Sequence, residues 1–136
     1  MAETDDGTPA HSTGRGFGRV LVAVYGLFAL AATARSGVQI ATKFHEAPLV
    51  YLLSACAALV YIVATVSLAR GDAASRRIAT VAISIELVGV LLVGAASELF
   101  PSAFNAAAVW TGFGSGYGFV PLVLPLVGLW WLRHTR

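Results

Sequence analysis

Two residues stand out for chemistry that clashes with their setting. Glu86 lies within the apolar residues 78–99, and Arg35 within the apolar residues 20–43, followed one helical turn later by Gln39. A charged side chain at the centre of a membrane helix costs roughly 2.5–3.5 kcal/mol on insertion scales, so it persists where it faces other helices, reaches headgroups or meets an opposite charge. On parallel spans the two residues would differ in height by about two turns or less, roughly 10 Å, a gap that a long arginine side chain narrows. The expectation is an Arg35–Glu86 pair, direct or water-bridged. Its structural role would be to fix helix register. Its functional role would be a proton or ion step, because intramembrane acids mark such pathways.

Other chemistry is hard to assemble. The histidines, His11, His45 and His134, fall in the amino-terminal tail, a turn and the carboxyl end, so no two lie on spans to ligate a haem. No His/Cys/Asp/Glu group has metal-ligand spacing, and no nucleophile has a base near it. Glu86 and Glu98 are twelve residues apart on one helix, about 18 Å, too far to share a proton. Residues 111–119 read TGFGSGYGF. They lack the lysine of a phosphate-binding loop and the strand that precedes a dinucleotide site. The glycines instead suit a bend and close packing at the membrane edge; a ligand-binding or re-entrant loop is the alternative. Cys56 is the one cysteine and sits in an apolar run, where it reads as a small buried residue. An enzyme acting through its own residues is not expected, nor is a cofactor.

The elements that must position these residues follow from composition. Of 136 residues, 57% are hydrophobic and 12% charged, with mean hydropathy +0.78. Soluble domains carry about 25% charged residues, so the chain belongs to the membrane class. The pI of about 9.0 does not imply a nucleic-acid partner, because the basic residues sit in short turns. Residues 1–18 are small, polar and acidic, and read as a disordered tail. Four spans are expected, at about 20–43, 48–69, 78–99 and 118–132, each judged against the roughly 20 residues a spanning helix needs. Pro48 suits the first turn of the second span. Ser75 reads as the N-cap of the third, and Pro125 as a kink in the fourth. Residues 101–108 suit a short interfacial helix anchored by Phe104 and Trp110. Residues 32–34, Ala-Thr-Ala, also resemble a signal-peptide cleavage site, but the apolar run resumes after Arg35, so the first span is expected to be retained.

Charge orients the bundle. Arg15, Arg19, Arg70, Arg76, Arg77, Arg133 and Arg136 flank one side, and only Lys43 falls in a turn on the other. This predicts both termini in the cytoplasm and argues against dual-topology dimers. Ala29, Thr33, Gly37 and Ala41 recur every fourth position, a stripe of small residues that lets another helix approach closely.

The layout of four short spans resembles the small multidrug transporters, which carry their essential glutamate in the first span, where this chain has Arg35 and Gln39. The segment Glu86-Leu87-Val88-Gly89-Val90-Leu91-Leu92-Val93-Gly94 is similar to the ExxGxxLLxG of DoxX-like membrane proteins, though it falls on the third span rather than the second. With Ala34-Arg35-Ser36-Gly37 and the GYGFVPLVLP end, the whole resembles small integral membrane proteins of high-GC Gram-positive bacteria, a general resemblance that assigns no activity. The expected role is an accessory or scaffold subunit that contacts the lipid bilayer and packs against other membrane protein subunits or against itself. A small oligomeric transporter or proton-coupled exporter using Glu86 is the alternative, and a quinone-linked accessory enzyme a third.

Overall fold

The computed structural model describes residues 9–104 and 110–135. Four α-helices occupy most of them: α1 (Pro9–Lys43), α2 (Pro48–Arg70), α3 (Ala73–Leu99) and α4 (Val120–His134). Among the described residues there is no strand. Three helices are long and apolar enough to cross a membrane, and α4 is a shorter apolar one. The first eight residues of the expected tail, and residues 105–108 of the expected interfacial helix, lie outside the described residues. From Pro9 onward α1 is already helical, and it continues unbroken through Arg35.

The boundaries have local causes. Pro48 opens α2, where its missing N–H matters least. Gly71 closes α2 in the left-handed conformation (φ 73°), its N–H bonding the Ser67 carbonyl at 3.2 Å, a conformation that favours glycine. The N-cap of α3 is Asp72 rather than Ser75. Ser75 lies three residues inside, and its hydroxyl donates back to Asp72 Oδ1 at 2.6 Å. That bond is the main reason the Asp72 carboxyl is held below the usual carboxylate range. A two-residue link thus joins α2 to α3 as a tight antiparallel hairpin.

The return from α3 to α4 is less regular. The 3₁₀ segments Pro101–Ala103 and Thr111–Tyr117 lie on it. Gly112, Phe113 and Gly114 are successive left-handed residues, with φ of 61°, 60° and 81°. For Phe113 that conformation costs about 1–2 kcal/mol. The Phe113 ring recovers contact by lying on Gly94 of α3, where an added Cβ would run into it.

The helices pack in chain order, and α1 also meets α4 through side chains. Phe17 makes an edge contact with Trp130, with ring centroids 6.4 Å apart. Trp131 lies on Gly18, where an added Cβ would come within 2.7 Å of the indole. Arg76 of α3 reaches the last turn of α4. The start of α1, the α2–α3 turn and the end of α4 therefore share one end of the bundle, with Arg19, Arg70, Arg76, Arg77 and Arg133 in or beside these segments. Leu27, Leu30, Leu59, Val81, Leu92 and Leu126 point outward and are exposed, as lipid-facing side chains would be. Tyr25, Tyr61, Ile83, Glu86, Val90, Pro121 and Pro125 are fully buried. Tyr51 is buried with Ala47 and Val50, and Cys56 is exposed rather than buried.

Candidate functional site

Glu86 is fully buried at the centre of α3. Its partner is not Arg35. Tyr25 of α1 donates its hydroxyl to Glu86 Oε1 at 2.7 Å, and Tyr61 of α2 is a second phenol beside the carboxyl. Trp110, from the segment before α4, donates its indole N–H to the Tyr61 hydroxyl at 3.1 Å. The Tyr25 and Tyr61 rings lie 6.1 Å apart at 47°, and Phe28 stacks on Tyr61 at 5.7 Å. One acid, two phenols and one indole, each from a different part of the chain, thus make a polar cluster inside an apolar bundle. Glu86 Oε2 has no hydrogen-bond partner among the described residues.

Small residues make room for it. A Cβ on Gly89 would fall 2.5 Å from the Trp110 ring, and one on Gly128 of α4 would lie 3.4 Å from the Tyr25 hydroxyl. Glycines are thus used where a large ring or its polar tip must come against helix backbone. The segment Glu86 to Gly94 supplies the acid and, through Gly89 and Gly94, the seats of Trp110 and Phe113. Trp110 is accordingly a core residue, 5% exposed, and not the interfacial anchor expected.

Arg35 and Glu86 do not meet. Glu86 lies level with Tyr25, and Arg35 is ten residues further along α1, about 15 Å up the axis. The arginine side chain is exposed, whereas the carboxyl is sealed in. The difference is one of height: ten residues on from Arg15 in α1 and from Arg76 in α3 stand Tyr25 and Glu86, not Arg35, at one level. That count was available in the sequence and points to Tyr25.

The supporting residues are also apart. Gln39 is half-buried, with Oε1 unpartnered among the described residues, as is Ser36 Oγ one turn below. Glu98 is exposed near the end of α3. Of the small-residue stripe, Ala29 is buried, but Thr33, Gly37 and Ala41 face outward, and nothing lies within 4 Å of a Cβ placed on Gly37. The inward face of α1 is instead Gly18, Leu21, Tyr25, Ala29 and Ser36.

A second constellation lies at the arginine-rich end. Arg76 donates from Nη2 to the Leu132 carbonyl at 2.9 Å and to Thr135 Oγ1 at 3.0 Å, and its guanidinium sits 5.5 Å from the centroid of the Trp131 ring. It closes the last turn of α4, where carbonyls lack helical partners and cations are favoured. Among the described residues no three of His, Cys, Asp and Glu gather as metal ligands. Comparison with protein-family profiles, curated proteins and solved structures returns no match.

Proposed function

We propose that this chain is a four-span membrane subunit with both termini in the cytoplasm, working by packing against other membrane proteins rather than by chemistry of its own. One observation carries the reading. The outer stretch of α1 presents Thr33, Gly37 and Ala41 away from the rest of the chain, with open space above Gly37. Small residues on an outward face allow the backbone of another helix to approach closely, which is how helices associate in lipid. Arg35 lies on the same exposed stretch. The sequestration of Glu86 behind Tyr25, Tyr61 and Trp110 supports a structural role for the acid. The clustering of arginines at the end shared by both termini supports the orientation.

Cysteine crosslinking tests this. In a Cys56→Ser background, Thr33→Cys and Ala41→Cys should crosslink to a partner subunit or a second copy in native membranes, and Gly37→Leu should abolish the product. Unchanged crosslinking and co-purification with Gly37→Leu would defeat the reading. A second reading, a proton-coupled exporter, is favoured by the unpartnered Oε2 of the buried Glu86. It requires that Glu86→Gln abolish transport by a protein that still folds.

A further inference from the structure

At the arginine-rich end, a cleft of about 580 Å³ opens between α3 and α4, lined by Arg76, Arg77 and Arg133 with Thr80, and floored by Leu129 and Leu132. Among the described residues no acidic side chain lines it. Three like charges around one cleft repel each other unless an anion lies between them. Arg76 is preorganised there, since its bonds to Leu132 and Thr135 both leave from Nη2 and its other guanidinium N–H groups are not spent on them. Ala73, the first residue of α3, also lines the cleft, so the positive end of a 27-residue helix dipole adds to the field. The nearest acid in sequence, Asp72, is engaged by the Ser75 hydroxyl.

A second cavity shares Arg77 with the first. A groove of about 500 Å³ runs between α2 and α3 along Leu59, Val63, Val81 and Ile85, with no polar surface, and Arg77 lines it as well. One arginine therefore stands at the junction of a cationic cleft and a hydrocarbon-lined groove. Arginine is built for such a junction, with an apolar stem and a forked head that matches phosphate. We propose that the two cavities together hold one anionic phospholipid, its phosphate among Arg76, Arg77 and Arg133 and an acyl chain along the α2–α3 groove. A free phosphate would use the cleft but has nothing to put in the groove. The proposal rests on the membrane reading above, because the groove must open toward lipid.

The test uses the full chain, purified in mild detergent and examined by native mass spectrometry and thermal unfolding with added phosphatidylglycerol, phosphatidylcholine or inorganic phosphate. Expected is one retained phosphatidylglycerol per chain, with a raised unfolding temperature, and no comparable effect of phosphatidylcholine. Arg77→Gln and Arg133→Gln, both exposed in the free chain, should each weaken phosphatidylglycerol binding about fivefold. Val81→Trp should weaken it by filling the groove while leaving the arginines in place. Stabilisation by inorganic phosphate alone, insensitive to Val81→Trp, would make this a soluble-anion site and overturn the proposal. Equal response to the two lipids would overturn it too. Alkaline extraction of the expressing membranes reads the underlying premise separately: a chain that stays in the bilayer yet ignores lipid charge defeats only the lipid site, and one that washes out defeats both.

Discussion

The two halves of α1 obey the same helical period and do different things with it. From Gly16 to Ala32 the inward positions Gly18, Leu21, Tyr25 and Ala29 are all buried, against α2, α3 and α4 together. From Thr33 to Lys43 only Ser36 is buried, and both it and Gln39 carry unpartnered polar atoms. The difference has a source elsewhere in the chain. The first half has Trp130, Trp131 and Gly128 of α4 beside it, but α4 is only 15 residues long, about 22 Å. Periodicity in one helix specifies a face; the length of its neighbours decides how much of that face is covered.

The contrast breaks most sharply at glycines. Gly89→Val should be the most damaging single change, because its side chain would occupy the Trp110 ring. A loss of at least about 3 kcal/mol, the upper range for overpacking, is expected in thermal or denaturant unfolding in detergent. Next comes the polar cluster. Tyr25→Phe leaves a buried carboxyl without its donor and should cost about 1–3 kcal/mol. Adding Glu86→Leu should cost less than the sum of the two single changes, since both ends of the bond are then gone. Arg35→Gln, paired with Glu86→Gln, should instead be additive, as expected of residues that do not meet. Arg76→Gln should cost about 1 kcal/mol, by loss of the bonds to Leu132 and Thr135. Gly37→Leu should leave the stability of the isolated chain within about 0.5 kcal/mol, the opposite outcome from Gly89 for a change of similar kind. Smallest is a pH effect at the α2–α3 turn. The Asp72 carboxyl is held below its ordinary range by Ser75. Its contribution is therefore present above the unfolded value and lost as pH falls through the folded one, and Ser75→Ala should reduce that acid dependence.

The helices were legible, and so were their approximate limits, because long apolar runs bounded by arginines, Pro48 and Gly71 leave few alternatives. Glu86 was legible as an oddity: an acid in an apolar run declares itself. The rest of its cluster was not, because Tyr25, Tyr61 and Trp110 look like ordinary membrane aromatics until helix heights are aligned. Trp110 was the harder of the two. It reaches Tyr61 through a connector whose path depends on left-handed dihedrals at Gly112 to Gly114, and nothing in the local pattern fixes where such a segment turns. The small-residue stripe was visible, but which way it faces is set by α2 and α4, not by its own spacing.

The place of Trp110 in the chain has a consequence in time. Synthesis delivers α1, α2 and α3 before it delivers Trp110, so the bond from Tyr25 to Glu86 can form while Gly89 still lies bare. The indole arrives after them, ahead of Gly128 of α4, and closes over a bond already made. A nascent chain halted after Leu99 should therefore carry its buried acid in a leaky, water-accessible form, and the sealing of that acid is an achievement of the residues that follow α3.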